Sequence, residues 1–197
     1  MKAKNTKRMS TETMVLGAIM TAMVVILQLL ATFTAFFGPF STAVALIPIV
    51  IGAVLCGPAV GAWLGLVFGI VVIASGGAAL FMAFSVVGTF ITVLAKGSLC
   101  GLAAGLIYKL MGKWNHYVAV ITSSLICPVV NTGVFLLGCL IFFLPHDAEI
   151  AGAAGSTDTG MALFIGFAMA NFIFEIVMNI VLSPVIIKLL DLRKKKK

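Results

Sequence analysis

The sequence predicts an all-α integral membrane protein with six transmembrane helices and both termini on the cytoplasmic side. Composition is the first reason: of 197 residues, 62% are hydrophobic and only 10% charged, with a mean hydropathy of +1.23. A soluble domain is nearer half apolar and about a quarter charged, so this chain lacks the polar residues to cover a water-facing surface. A disordered chain, a disulfide-rich secreted fold and a soluble enzyme are excluded on the same ground. The second reason is where the basic residues sit, and the third is the number of apolar runs between them.

Lys2, Lys4, Lys7 and Arg8 open the chain, Lys109 and Lys113 sit mid-chain beside His116, and Lys188, Arg193, Lys194, Lys195, Lys196 and Lys197 close it. Loops and tails rich in Lys and Arg stay cytoplasmic. Both ends therefore belong on one side, and the number of spans is even. The segments expected outside carry no Lys or Arg, and the longest holds His146, Asp147, Glu149 and Asp158. The net charge of +7 thus reads as membrane topology, with the terminal Lys run meeting anionic lipid headgroups and not nucleic acid. The apolar run after Arg8 is too long for a signal-peptide core and lacks a clear cleavage site, so it is expected to remain as span one.

A membrane-crossing helix needs roughly 20 apolar residues. Span one is expected at 11–37, ending at Gly38-Pro39. Spans two (41–56) and three (58–74) are short and meet at Cys56-Gly57-Pro58, where proline suits the start of a helix. A Ser75-Gly76-Gly77 turn leads to span four (80–112), Gly112-Lys113-Trp114-Asn115 separates it from span five (117–144), and span six covers 161–190. A four-span alternative would make spans two and three a re-entrant pair. The expected organisation is a basic tail (1–10), one membrane domain (11–190) and a second basic tail (191–197).

Small residues recur at helical spacing. Gly57, Gly61, Gly65 and Gly69 mark span three, and Gly97, Gly101 and Gly105 mark span four. Such stripes let helices approach closely in lipid, here within the chain. Ala18 and Ala22 on span one fit either an internal contact or docking of another subunit. Cys56, Cys100, Cys127 and Cys139 are scattered singly through apolar runs and read as buried small hydrophobes.

Ionisable groups at membrane depth are costly and mark function. Lys96 and Glu175 are the two. Each lies 13 residues before a cytoplasmic Lys, Lys109 and Lys188 respectively, so both are expected ~20 Å from that end at 1.5 Å per residue. Asn131 falls near the same depth on span five, and Asn171, Glu175 and Asn179 form a four-residue ladder on span six. Thr92 lies one turn from Lys96 on span four, and Thr89 about two. Three helices thus deliver polar groups to one level, as a site for a small polar molecule requires. Two other readings stand beside it: a Lys96–Glu175 ion pair that only locks packing, and a proton relay through Glu175, the basis of an autonomous proton-coupled carrier. Gln28, in the half of span one away from Arg8, reads as either a site residue or a satisfied interhelical amide. Phe33, Phe36, Phe37 and Phe40 read as an interfacial belt or a lid.

No P-loop, H-E-x-x-H or G-x-S-x-G motif occurs. No histidine lies at membrane depth for a rhomboid-like dyad, and no carboxylate cluster could hold Mg²⁺. The chain is expected to be no enzyme and to carry no cofactor and no metal.

These features together resemble the substrate-binding (S) component of energy-coupling factor (ECF) vitamin transporters, over nearly the whole chain. The resemblance rests on Ala18-Ile19-Met20-Thr21-Ala22 in span one and on the run from Ala45 to Gly57-Pro58. It rests also on Lys96-Gly97 followed by Gly101-Leu102-Ala103-Ala104-Gly105-Leu106-Ile107-Tyr108-Lys109. It implies a multi-pass protein of a prokaryotic plasma membrane that captures a vitamin from outside. Its partners would be a membrane scaffold subunit and two cytosolic ATPases. Ala18 and Ala22 would dock the scaffold, the whole component would tip in the membrane, and Thr92, Lys96, Asn131, Asn171, Glu175 and Asn179 would bind substrate beneath lids near 36–40 and 75–80. One basic residue among amides and hydroxyls suits a small carboxylate such as pantothenate, and Asn131-Thr132-Gly133 is similar to pantothenate-type members. Trp63 is the only tryptophan in the spans, which argues against large fused-ring vitamins.

Overall fold

In the computed structural model, residues 10–34, 44–153 and 159–195 are described. Every element among them is a helix: α1 Thr11–Thr34, α2 Leu46–Cys56, α3 Pro58–Ala74, α4 Ala79–Phe84, α5 Val86–Met111, α6 His116–Gly138, α7 Asp147–Ala153 and α8 Gly160–Lys195. A π-helical stretch, Cys139–Phe143, and a 3₁₀ turn, Leu144–His146, extend α6 toward α7. The lid expected near 36–40, the basic amino tail, Gly155, Ser156, Asp158, Lys196 and Lys197 lie outside the described residues.

Four helical segments are long and apolar enough to cross a membrane: Thr11–Phe33, Val86–Met111, His116–Gly152 and Ala168–Leu192. The other two apolar helices, α2 with 11 residues and α3 with 17, are shorter than the roughly 20 residues of a typical crossing. Large apolar side chains such as Met14, Ile19, Ile26, Ile91, Leu110, Ile141, Ile173 and Val181 are exposed on the four long segments. This is the surface of a protein that sits in hydrocarbon. Helix α2 is different, with Leu46, Pro48, Ile49, Val50, Ile51, Gly52, Ala53 and Val54 all buried. A helix that is apolar on every side belongs inside, and α2 packs against α1, α3 and α5 as the inner strut of the bundle.

The two glycine stripes face each other. A Cβ added to Gly65 or Gly97 would strike the backbone carbonyl of the other, and the same holds for Gly61 against Gly101. A Cβ on Gly69 would lie 2.9 Å from the Val93 carbonyl oxygen. Helices α3 and α5 therefore cross backbone to backbone, antiparallel, in the close approach that small residues allow.

Two boundaries differ from the sequence expectation. The fourth apolar run is broken at Ser85, whose backbone is extended (φ −151°, ψ 101°) and whose hydroxyl accepts from the Gly88 N–H at 3.2 Å. It is an N-cap that splits a short α4 from the long α5. The longest segment expected outside the membrane carries a helix of its own, since α7 starts at Asp147 within it. Other junctions follow the residues: Gly57 takes φ +100° between α2 and α3, and the Asn115 side chain accepts from the Tyr117 and Val118 N–H groups at 2.9 and 3.3 Å to start α6.

Candidate functional site

The site residues come from α5, α6 and α8, with α6 packed against both of the others. Glu175 is the centre of the polar cluster and is 1% exposed. The Asn171 side-chain N–H donates to Glu175 Oε1 at 2.6 Å, and Asn131 Nδ2 donates to Oε1 at 3.2 Å and Oε2 at 3.4 Å. A buried carboxylate needs such donors to offset its lost hydration. One turn further along α8, Asn179 Nδ2 donates to the Glu175 backbone carbonyl at 2.8 Å, and Ser183 Oγ donates to the Asn179 carbonyl at 2.8 Å. The ladder read from the sequence is therefore real and one step longer, through Ser183.

Lys96 stands apart from this cluster. Its Nζ lies 5.0 Å from the ring centroid of Phe135 on α6 and 6.0 Å from that of Phe68 on α3, at cation–π range. It makes no ion pair or hydrogen bond with any other described residue, although Glu175 acts on it through space. The direct Lys96–Glu175 pair considered from the sequence is absent among the described residues, and the register explains why. Lys96 sits beside Phe135, while Glu175 is held by Asn131, four residues or ~6 Å away on the same helix. Counting to the nearest Lys gave the two groups one depth, but α5 and α8 meet α6 a turn apart.

Several buried polar atoms have no hydrogen-bond partner among the described residues: the hydroxyls of Thr92 and Ser124 and the amide oxygens of Asn131 and Asn179. Unsatisfied buried groups are few in native proteins and each calls for an explanation. Thr92 adjoins Gly138 of α6, where any Cβ would run into the threonine side chain. The arrangement thus offers one ammonium without an anion, one carboxylate already supplied with donors, and neutral acceptors awaiting hydrogens.

The expected Ser75-Gly76-Gly77 turn carries the chain into α4, which sets Phe81 edge-on to Phe135 and to Phe143, each at 5.4 Å between centroids. Phe68, Phe81, Phe135 and Phe143 were not singled out in the sequence reading, which sought aromatic lining in tryptophan and tyrosine. The available signal was Phe81 just after the Gly76-Gly77 turn.

Ala18 and Ala22 take no part in this site. Both are exposed on α1, while Gly17, Met20, Val24 and Gln28 face inward, Gly17 against Val60 and Met20 against Gly52.

The family model for the ECF transporter, substrate-specific component, matches residues 12–187. The chain belongs to this family. As an ECF substrate-specific component it is a multi-pass membrane protein and a subunit of a transporter, and the family is one of transport subunits, not of enzymes. Membership implies a small-molecule substrate and association with the ECF membrane scaffold and ATPase subunits. Comparison with curated proteins and with solved structures found no match.

Proposed function

We propose that this S component is the high-affinity capture and translocation subunit of an ATP-driven ECF importer, and that its substrate is a small carboxylate such as pantothenate. In this reading Lys96 holds the carboxylate, while Thr92, Asn131, Asn171, Glu175 and Asn179 complete the binding site. The observation that carries it is the Lys96 ammonium, which has no ion pair among the described residues and lies against phenylalanine faces while the Glu175 carboxylate is occupied by two asparagine amides. An ammonium in such surroundings gains most from an anion that arrives with the ligand. The phenylalanines favour a ligand whose remainder is partly apolar.

The chain is proposed to cross the membrane six times, α2 and α3 included, with both basic tails in the cytoplasm of a prokaryotic cell. It forms one membrane domain over 11–190 between those tails. Ala18 and Ala22 present a small-residue face to the scaffold subunit, and the ATPases supply the work. The proton-coupled carrier based on Glu175 gains less support, because both asparagine partners donate to that carboxylate and hold it as an acceptor. Pantothenate binding to the purified full chain, followed by thermal shift with and without Lys96→Ala, tests the proposal. Stabilisation of the wild type alone is expected, since a ligand bound to the native state raises stability by mass action. Equal stabilisation of the variant would refute the role of Lys96.

A further inference from the structure

Gln28 is 1% exposed, and its Oε1 has no hydrogen-bond partner among the described residues. An amide offers two donors and two acceptor lone pairs, and burying one unsatisfied is among the costlier things a core can do. Gln28 continues the inward face of α1 that Met20 and Val24 place in the apolar core. Its retention as an amide therefore points to a partner that comes and goes.

The helix registers give the depth at which that partner would lie. Helices α1 and α3 run parallel, tied by Gly17 against Val60 and by the Thr32–Ser75 hydroxyl bond at 3.0 Å. Gln28 is thus level with Val71 on α3. The antiparallel α3–α5 crossing, with Gly65 on Gly97 and Gly69 on Val93, carries that level to Ile91 on α5. A second route runs through α2. Met20 abuts Gly52, and Ile49 abuts Gly101; with α2 antiparallel to α1 and parallel to α5, Gln28 is level with residue 44 and so with Lys96. The two routes bracket the 91–96 stretch of α5, their end points ~7 Å apart along the helix, and that stretch carries Thr92 and Lys96. Thr92 is itself buried with its hydroxyl unpartnered. Residue 44 also lies just beyond the amino end of α2, so Gln28 sits at the edge of the inner strut and not behind it.

We infer that Gln28 is a ligand-binding residue, reaching from α1 into the layer of Thr92 and Lys96 and hydrogen-bonding a neutral polar group, an amide or hydroxyl, of the molecule whose carboxylate Lys96 holds. This rests on the carboxylate reading of Lys96 and adds a fourth long helix to the site. It also makes specificity two-sided: a charge at Lys96, and a hydrogen-bonding group at Gln28. A ligand lacking that group leaves the amide unpaired, which is how buried polar groups reject close analogues.

The experiment uses the purified full chain with Gln28→Met and Gln28→Leu, with pantothenate as the probe. Two quantities are read: the melting temperature without ligand, and the affinity for pantothenate. Removing an unsatisfied buried amide should raise the ligand-free melting temperature by about 2 °C or more and weaken pantothenate binding about ten-fold or more. Ligand-free variants that melt lower than the wild type would show an amide paired for structural reasons and overturn the inference. Unchanged affinity in both variants would overturn it as well. Failure of the wild type to bind pantothenate is a different result, and it strikes the underlying substrate reading together with this extension of it.

Discussion

Asn131 and Glu175 join α6 to α8 through one amide that donates to both carboxylate oxygens, at 3.2 and 3.4 Å. That bond diverts the carboxylate from Lys96, and the Asn171 bond at 2.6 Å reinforces it. The separation of the two charges leaves Lys96 with no ion pair among the described residues, and the proposed ligand carboxylate would supply one.

Removing the carboxylate should therefore harm packing before it harms chemistry. Glu175→Ala strands the buried Asn131 amide donor, at a cost of about 1–3 kcal/mol, and takes one acceptor from the half-buried Asn171, whereas Glu175→Gln keeps an acceptor oxygen. The melting temperature of the ligand-free protein should fall clearly for the alanine variant and much less for the glutamine one. Equal losses would mean that the negative charge matters more than the hydrogen bonds.

Spacing along a single helix is legible in the sequence because the rise per residue is constant, and the Asn171–Glu175–Asn179 ladder is read from it. Azimuth and inter-helix register were not legible, since they depend on how α5 and α8 seat on α6, and so a direct Lys96–Glu175 pair remained open until Phe135 and Asn131 were seen to separate them by a turn. The glycine stripes declared close packing but not each other as partners; only the crossing of Gly65 on Gly97 reveals that. The break at Ser85 was hidden because a single serine cap in an apolar run leaves hydropathy almost unchanged. Phe81 was missed for a related reason, because α4 comes near Phe135 only once that break redirects the chain.

The glycine crossing gives a sharp stability contrast. Gly65→Ala places a methyl group into the Gly97 backbone, while Gly166→Ala on α8 meets nothing within 4 Å. The first should lose about 2 kcal/mol or more, in the range of overpacked cores. The second should be neutral or gain a few tenths to about 1 kcal/mol from helix propensity. Unfolding monitored in detergent checks both, and a tolerated Gly65→Ala would show that α3 and α5 are farther apart than described.

The exposed Ala18 and Ala22 face predicts a separation of binding from transport. Ala18→Trp touches no buried side chain of this component, so pantothenate affinity should stay within about two-fold, as for other surface changes away from packed features. Uptake by cells expressing the complete transporter should be lost, along with co-purification of the scaffold subunit. Normal uptake by the variant would remove this face from the docking surface.

The central claim is that Lys96 waits for an anion, and calorimetric titration with a matched pair of ligands tests it most directly. Wild-type protein should bind pantothenate and discriminate against the alcohol that lacks its carboxylate by about a hundred-fold, as expected when one partner of a desolvated charge pair is removed. Lys96→Ala should abolish that discrimination. Equal affinity of the wild type for acid and alcohol, or discrimination that survives in Lys96→Ala, would contradict the account.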